Sequence, residues 1–347
     1  MELLLKKITP YDSSSPLDIR FSEDGILEKD VNLVARKKEQ VIDFAEHFLY
    51  PGLTNWHDHL EMNLYPKLGT PPYNNYTEWM KDIYKPKESP LKEIEKTDVD
   101  YRLMWGALKN LVSGVTTVYH HNPVRRIVTA SSFPVYVPKI EWAHSLVVSK
   151  KFPFKRDRPF IIHAAEGVDD FARKEISRLN DLHLLKPNTY IVHGIAAGDD
   201  EWRLMESKGV SLIWCPASNL YMFNKTAAIQ NRKNVFLGTD STLTGSSTLL
   251  DEMRVAAQFM PKKDIAKMVM TNSRGYFVAR KIESDPLENL FRLEPKDIPM
   301  VMWGGQIRLL NGKPAGVDVD KMKLHFEKVV GASLLNANPL YRLLSQL

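Results

Sequence analysis

The chain has 347 residues, of which 44% are hydrophobic and 26% are charged, a balance typical of globular proteins rather than disordered or fibrous ones. Its formal net charge is +5, but the basic residues fall in short separate clusters, which indicates a solvated basic surface rather than a nucleic-acid site. The single cysteine, Cys215, excludes an internal disulfide and an all-cysteine zinc site. A metal would therefore have to be bound by histidine and carboxylate.

The sequence predicts no membrane span, because it contains no stretch of about eighteen apolar residues. The N-terminal segment Met1–Lys7 has an apolar part too short for a signal peptide, and its basic residues follow that part instead of preceding it. We therefore expect a cytoplasmic protein that acts on a small molecule, with neither a nucleic-acid nor a membrane partner. The sequence leaves open whether the protein forms a homodimer.

Two patterns of secondary structure follow each other along the chain. Residues 1–48 mix apolar and charged positions, which predicts short half-buried strands, with a tight turn at Ser22–Gly25. From about residue 49, apolar runs typical of buried parallel strands alternate with helical patterns, which indicates βαβ units. The predicted strands are 116–119, 159–162, 190–192, 211–214 and 235–237, and the predicted helices are 98–113, 168–182, 199–208 and 248–280, the last in two pieces. The last forty or so residues return to short strands and a final helix, at about Asn338–Leu347.

The length of the alternating region predicts the fold class. Residues 49–300 match the roughly 250 residues of a (β/α)8 TIM-type barrel. Between His121 and Pro159 there is little room for two strand–helix units, because 133–137 and 140–143 both look extended, and neighbouring parallel strands need a crossover of about a dozen residues. We therefore expect either one bent strand or a barrel that is irregular around its third and fourth strands.

Polar residues able to bind a metal lie at or just past the C-terminal ends of predicted strands. They are His57 and His59 after the run that begins at Phe48, His163 after 159–162, His193 after 190–192, and Asp240 after 235–237. The active sites of TIM barrels are built on this face of the barrel. The order and placement of these residues therefore predict one site at the barrel mouth.

The His-Asp-His sequence at 57–59 places both imidazoles on one side of a strand, since residues i and i+2 share a face. Together with His163 and Asp240, they make a set of three histidines and one carboxylate. Such a set suits Zn²⁺, with Fe²⁺ or Mn²⁺ as alternatives, and leaves a position for a water whose lowered pKa makes it a source of hydroxide. Glu166, three residues after His163, is placed to carry a proton from that water to a leaving group, and His193 to polarise the bond that is cleaved.

The motifs around these residues resemble those of the amidohydrolase superfamily. The resemblance is closest to the branch that contains cytosine and guanine deaminases, adenosylhomocysteine and methylthioadenosine deaminases, and triazine chlorohydrolases. The motifs that carry it are, in order, the segments 51–62 (PGLTNWHDHLEM), 163–167 (HAAEG), 193–194 (HG), 215–219 (CPASN) and 238–241 (GTDS). They span about residues 48–280. The interval from 57 to 163, which shapes the substrate pocket in this branch, is short here.

The resemblance implies a barrel over 49–300 and a small β-sandwich built from 1–48 and 301–347. It also implies a role for each matching residue: His57, His59, His163 and Asp240 bind one metal, Glu166 shuttles a proton, His193 is the electrophile, Asp240 also orients the attacking hydroxide, and Asn219 and Ser241 support the site. One metal is favoured over two, because no lysine is clearly placed to form a bridging carbamate, and Lys139 is remote.

Other residues are weaker candidates for contact with the substrate or for support of the metal ligands. They are Trp56, His121, Trp142 and His144, for each of which a purely structural role is the alternative. The segment 74–80 could form a lid in which Tyr76 or Trp79 stacks on a flat ring, or simply a surface helix packed on the barrel.

The sequence thus predicts a hydrolase of carbon–nitrogen bonds other than peptide bonds. The first hypothesis is a metal-dependent deaminase of a heterocyclic amine of the purine, pyrimidine, pterin or triazine type. The alternatives are an amidohydrolase of a cyclic or acyclic amide, a hydrolytic dehalogenase and, less favoured, a non-catalytic binding protein on a degenerate barrel. The single cysteine excludes the deaminases that hold zinc with paired cysteines, and the absence of His-Glu-x-x-His excludes that class of metalloprotease.

Overall fold

The computed structural model describes residues 2–23 and 25–344. The strands in this part of the chain are β1 (Leu3–Pro10), β2 (Leu17–Ser22), β3 (Gly25–Asp30), β4 (Gln40–Asp43), β5 (His47–Pro51), β6 (Leu53–Asp58), β7 (Val115–His120), β8 (Glu141–Ala143), β9 (Phe160–Ala164), β10 (Thr189–His193), β11 (Ser211–Trp214), β12 (Val235–Leu237), β13 (Tyr276–Arg280), β14 (Met300–Trp303), β15 (Gln306–Leu310) and β16 (Lys313–Pro314). The helices are α1 (Tyr76–Ile83), α2 (Leu91–Ile94), α3 (Val99–Leu111), α4 (Asp170–Asp181), α5 (Asp199–Ser207), α6 (Pro216–Phe223), α7 (Leu249–Ala256), α8 (Lys262–Met270), α9 (Pro286–Arg292), α10 (Val319–Val329), α11 (Ala332–Asn336) and α12 (Pro339–Leu344).

The alternation of strands and helices predicted from residue 49 onward is confirmed. The five strands predicted between 116 and 237 correspond to β7, β9, β10, β11 and β12, and the first three predicted helices to α3, α4 and α5. The prediction of helix over 248–280 is right for α7 and α8 but wrong at its end, where residues 276–280 form β13. That strand lies beside β5 in an antiparallel pair, so its apolar residues are buried by a sheet.

Strands from both halves of the chain form one mixed nine-stranded sheet. Its order is β16-β15-β14-β13-β5-β1-β2-β3, and β4 also pairs with β1. One face buries a compact apolar cluster that includes Leu5, Ile19 and Phe21. Because the strand pairing gives one continuous sheet, the predicted small β-sandwich is not confirmed. In the predicted turn at 22–25, Asp24 lies outside the described residues.

The segment after β16 is helical and packs on a different part of the molecule from the nine-stranded sheet. The Trp105 ring of α3 lies 5.1 Å from the ring of Phe326 and 5.8 Å from that of Tyr341. The buried Asn338 amide donates to the carbonyl oxygens of Asn63, at 3.0 Å, and Tyr65, at 2.9 Å. Of the short strands and the final helix predicted for the last forty or so residues, β15, β16 and α12 are present, whereas α10 and α11 stand where further strands are predicted. Residues 345–347 of the predicted final helix lie outside the described residues.

The strands that carry the predicted site belong to two parallel sheets. Five of them form the sheet β12-β11-β10-β9-β8, and β6 pairs with β7. Between these sheets runs one extended segment: Tyr136 bridges Thr117 of β7 in parallel, and β8 then pairs with β9. This geometry corresponds to the bent-strand alternative for the region between residues 121 and 159, since one segment takes the place of two strand–helix units.

On the other side, the end of β12 meets β6. The Asp240 amide donates to the His57 carbonyl oxygen at 3.0 Å. Gly238 makes this approach possible, because a Cβ at this position would lie 2.7 Å from the Cβ of His57. Backbone hydrogen bonds therefore connect the two parallel sheets on both sides, and the C-terminal ends of their strands face a common space. No helix of the described residues is both long and apolar enough to cross a membrane.

Candidate metal centre

Three histidine nitrogens converge at the C-terminal ends of β6 and β9. The Nε2 atom of His163 lies 3.2 Å from that of His57 and 3.4 Å from that of His59. In a tetrahedral zinc site with zinc–nitrogen bonds of about 2.1 Å, the ligand nitrogens lie about 3.4 Å apart. His163 Nδ1 contacts the carbonyl oxygen of His144 at 2.7 Å, which places its proton on Nδ1 and leaves the Nε2 lone pair facing the other two rings. The spacing therefore fits three ligands of one ion.

Asp240 supplies the carboxylate beside these nitrogens. Its Oδ1 lies 3.8 Å from His57 Nε2 and 3.7 Å from His59 Nε2. Its Oδ2 accepts hydrogen bonds from the hydroxyls of Ser218 and Thr244, each at 2.9 Å, so Oδ1 is the oxygen turned toward the imidazoles. Burial raises the pKa of Asp240, but the neighbouring histidines and these hydroxyls outweigh it and hold the pKa below its ordinary value. The carboxyl group is thus anionic, as a metal ligand must be.

A fourth histidine joins the cluster. Ligand nitrogens of His57, His59, His121 and His163, all buried, lie within 4.8 Å of one another. The Nε2 of His121 lies 3.0 Å from the Ala143 carbonyl oxygen, and its Nδ1 has no hydrogen-bond partner in the described residues. The sequence predicts His121 only as a substrate-binding or supporting residue. The structure places it next to the predicted ligands, directly after the end of β7.

The buried histidines are held in the neutral form that binds metals. Burial, reinforced by the other rings, lowers the pKa values of His57, His121 and His163 well below the ordinary range. A neutral imidazole offers a lone pair at pH 7 without first losing a proton. The four histidines can therefore hold a cation without first losing protons.

Glu166 and His193 lie side by side next to the candidate ligands. Oε1 of Glu166 is 3.5 Å from Nε2 of His193, and Nδ1 of His193 is 2.8 Å from Oδ1 of Asn219. The Asn219 oxygen can only accept a hydrogen bond, so Nδ1 of His193 carries the proton. Nε2, on the other side of the ring, faces Glu166. Burial, with the nearby carboxylates of Asp240 and Glu175, raises the pKa of Glu166 well above its ordinary value. Burial thus favours the protonated form of the Glu166 carboxyl group.

The loop that carries Glu166 is tied to α1. The Tyr76 amide donates to the Glu166 carbonyl oxygen at 3.1 Å, and the Tyr76 hydroxyl donates to Glu175 at 3.0 Å. The other oxygen of Glu175 accepts from the Ala165 amide at 3.0 Å, and burial raises the pKa of Glu175 to about 7. Glu175 has no motif in the sequence that would have indicated this role.

A cavity of about 230 Å³ opens over the candidate ligands. Its residues are His59, Met62, Tyr76, Trp79, Met80, Ile83, Tyr84, Leu91, His144, His163, Glu166, His193, Met222, Asp240, Ser241, Leu243 and Thr244. The floor is polar and the walls are apolar. Tyr76, Trp79 and Met80 of the segment 74–80 thus line this cavity, and a lid role for the segment stays a prediction. None of the described lining residues is a lysine or an arginine.

The other predicted residues take different positions. His144 lines the cavity, and burial lowers its pKa to about 4. The Ser241 amide donates to Oδ1 of Asp240 at 2.8 Å. Trp56 is not part of the described cavity lining: its ring stacks on Tyr119 in the interior. Trp142 is also outside that lining and lies 5.5 Å from the ring of His121.

Comparison with known proteins finds relatives named as deaminases, although no family model matches the chain. The chain is 23% identical to a 5-methylthioadenosine/S-adenosylhomocysteine deaminase of Pyrococcus furiosus, over 89% of this chain and 94% of that protein. It is 24% identical to a 5'-deoxyadenosine deaminase of Methanosphaera stadtmanae, over 74% and 73%.

Solved structures share the fold. An adenosine deaminase of Xanthomonas campestris with bound zinc superposes with a TM-score of 0.71 at 15% identity, covering 94% of this chain and 97% of that one. An atrazine chlorohydrolase of Arthrobacter aurescens with zinc superposes with a TM-score of 0.72 at 14% identity, covering 94% and 100%. The resemblance to the metal-dependent deaminases and chlorohydrolases of the amidohydrolase superfamily is therefore confirmed, in sequence by the deaminases and in fold by both.

Proposed function

We propose that this protein is a metal-dependent hydrolase that deaminates a heterocyclic amine. The observation that carries the proposal is the convergence of three histidine Nε2 atoms and one carboxylate oxygen at the floor of a cavity, with a glutamate and a histidine beside them. His57, His59, His163 and Asp240 would hold one zinc ion, with His121 as a further donor next to them. The relatives named as deaminases support the reaction type.

The residues divide the chemistry between them. A bound zinc ion would supply a Lewis acid and lower the pKa of water. Glu166, whose pKa is raised by burial, is placed to deliver a proton to the departing nitrogen, as a general acid. His193, whose Nδ1 donates to Asn219, turns Nε2 toward Glu166, and with a proton on that nitrogen as well it would polarise the reacting bond. Asp240, anionic and fixed by two hydroxyls, orients the attacking oxygen.

The cavity supports a neutral substrate with an apolar substituent. Its walls are mostly methionine and aromatic side chains, and no cationic side chain among the described lining residues could pair with a phosphate or carboxylate. Its volume of about 230 Å³ is below the ~300–1,000 Å³ usual for drug-sized ligands, which suits a small ring system. We propose an adenosine-type amine with a short uncharged tail, by analogy with the deaminases of methylthioadenosine and 5'-deoxyadenosine.

We also propose how the chain is divided. The hydrogen bonds that connect the two parallel sheets on both sides support a barrel in which a single bent segment replaces the third and fourth strands. The nine-stranded sheet supports a small unit made of about residues 1–51 and 276–314. The packing of Phe326 and Tyr341 on Trp105 supports placing the C-terminal helices with the barrel rather than with the small unit.

The experiment is a substrate panel with zinc-loaded protein. Ammonia release would be measured for 5'-deoxyadenosine, methylthioadenosine, adenosine, adenosine monophosphate, guanine, cytosine and an aminated triazine, and chloride release for a chlorotriazine. The proposal expects ammonia from an uncharged nucleoside and little from the monophosphate. Protein that binds zinc and hydrolyses only an amide or a carbon–halogen bond would support the alternatives instead. Protein that binds no zinc would contradict the proposal and favour a binding protein.

A further inference from the structure

A buried lysine lies behind the candidate metal ligands. Lys109, on α3, has none of its surface exposed to solvent. Its Nζ donates to Oδ1 of Asn63 at 2.8 Å, to the Thr239 hydroxyl at 3.0 Å and to the carbonyl oxygen of Asp240 at 3.0 Å. It also lies 3.3 Å from Oδ2 of Asp58. One ammonium group therefore contacts both the strand of the His-Asp-His motif and the segment of the predicted carboxylate ligand.

Asp58 is the charge partner of Lys109. It lies between His57 and His59 with no surface exposed, and its carboxylate accepts from the amides of Asn63, at 2.9 Å, and Asn110, at 2.8 Å. A buried charge that loses its partner is strongly destabilising. Neutralisation of Asp58 is thus one role of Lys109, and by itself it would be purely structural.

The hydrogen bond from Lys109 to the carbonyl oxygen of Asp240 indicates a second role for this lysine. Asp240 has φ of +56°, in the left-handed region that is costly for a residue with a Cβ and persists where the surroundings hold it. Its amide is held by the His57 carbonyl, and its own carbonyl by Lys109 and by the Thr239 hydroxyl at 2.7 Å. This backbone conformation turns the side chain so that Oδ1 faces His57 and His59.

We propose that Lys109 is a positioning residue of the metal centre. Its ammonium group fixes the Asp240 carbonyl against Asp58, and so sets the Asp240 carboxylate at the distance from the histidines that a shared ion requires. The inference rests on the proposed metal site but not on the identity of the substrate. Asn55 extends the same connection, since its amide donates to Thr239 at 2.8 Å and lies 3.3 Å from Asp58.

The test separates charge neutralisation from positioning. Lys109→Met removes the ammonium group, and the double variant Asp58→Asn/Lys109→Met removes both charges. For each protein we would measure the urea midpoint of the metal-free form, the zinc dissociation constant by competition with a chromophoric chelator, and the visible spectrum of the Co²⁺ form. Lys96→Met, an exposed lysine just before α3, is the matched control and should change none of the three.

The proposal expects Lys109→Met to lower the urea midpoint and to weaken zinc binding by about 10–100-fold, as loss of a group that orients a ligand does. In the double variant the urea midpoint should return most of the way to that of the unaltered protein. Zinc binding should stay weakened, and the Co²⁺ spectrum should stay altered. Recovery of both properties in the double variant would show that Lys109 only neutralises Asp58, and would overturn the proposal. Unchanged zinc affinity in Lys109→Met would overturn it as well.

A second variant covers the case in which methionine prevents folding. Lys109→Gln, alone and with Asp58→Asn, keeps a donor for the Asp240 carbonyl without a charge. Zinc binding by Asp58→Asn/Lys109→Gln should be within about threefold of the unaltered protein; a loss as large as that expected for methionine would contradict a role through this hydrogen bond. If the unaltered protein binds no zinc, the proposed function is contradicted. If the protein binds zinc and substitutions at Lys109 do not change the affinity, only this inference is contradicted.

Discussion

His57 and His163 come from strands that are not neighbours, β6 and β9, and their Nε2 atoms lie 3.2 Å apart. Since the proton of His163 is on Nδ1, its Nε2 presents a lone pair toward His57 Nε2, and a metal ion between the two rings would be bound by both nitrogens. His163→Ala should therefore reduce bound zinc from about one per chain to nearly none, measured on dialysed protein by elemental analysis. His183→Asn, at an exposed histidine with positive φ, should leave the zinc content unchanged. Full zinc content in His163→Ala would exclude His163 as a ligand.

Removal of the metal should lower thermal stability. A ligand that binds only the folded state stabilises it by about 2.7 kcal/mol at a free concentration of 100 times its dissociation constant. Treatment with a chelator should thus lower the melting temperature by several degrees, and added Zn²⁺ should restore it. The same treatment of His163→Ala should have little effect, and an equal shift in both proteins would mean that the ion binds elsewhere.

Glu166→Gln should abolish turnover and retain the metal. The amide cannot deliver a proton, and general acid–base catalysis contributes about 10²–10⁴-fold, so kcat should fall by at least that range. Zinc content should stay near one per chain, because Glu166 is not among the four converging ligands. Glu95→Gln, at an exposed glutamate, is the control. Turnover within tenfold of the unaltered protein would remove Glu166 from the mechanism.

Met80→Lys should change which substrates are accepted. Met80 lines the apolar wall of the cavity, so a lysine there adds a cation to a region that the described residues leave without one. The kcat/KM for an uncharged nucleoside should fall at least about tenfold, mainly through KM, while the ratio for a nucleoside monophosphate relative to the uncharged substrate should rise. Lys81→Met, on the exposed side of α1, should alter neither value. An unchanged ratio would place the substrate tail away from α1.

Asp18 should make the small unit sensitive to acid. Burial raises its pKa, but Lys6, at 2.5 Å, and the amides of Lys7 and Leu33 outweigh this effect and lower the pKa below its ordinary value. A lowered folded-state pKa means that the stabilisation is present above the unfolded pKa of about 4 and is lost as the pH falls through the folded value.

Asp18→Asn should therefore lower the free energy of unfolding at pH 7 by about 1–3 kcal/mol, with the difference shrinking below pH of about 4. The measurement is urea unfolding of metal-free protein from pH 7 to pH 3. Asp12→Asn, at an exposed aspartate, is the control. A difference that stays constant over the whole pH range would show that the carboxylate charge is not the cause.

Much of the site could be predicted from the sequence because each predicted ligand lies at or just past the C-terminal end of an apolar strand. A strand end fixes where a side chain points, so His57, His59, His163 and Asp240 could be placed together without coordinates. His121 also follows a strand, but its position in the cluster depends on the bent segment that carries Ala143, and that geometry arises from tertiary packing.

Lys109 could not be predicted for a different reason. A lysine in a helix is ordinarily solvent-exposed, and only the approach of α3 to the segments around Asp58 and Asp240 encloses it. The nine-stranded sheet was missed similarly, because the pairing of β13 with β5 joins residues more than two hundred positions apart. A short apolar run such as 276–280 is compatible with either a helix or a strand, and only the element that packs beside it decides between them.

The amide of Asn338 donates to the carbonyl oxygens of Asn63 and Tyr65, in the segment that directly follows the His-Asp-His motif. This contact has a consequence for biosynthesis. The ligands nearest the N-terminus are made early, but the loop beside them is not locked until a residue some 275 positions later has left the ribosome. Nascent chains stalled before residue 338 should therefore hold the ion less tightly than full-length ones, and we expect loading of the centre to be a late event in biosynthesis.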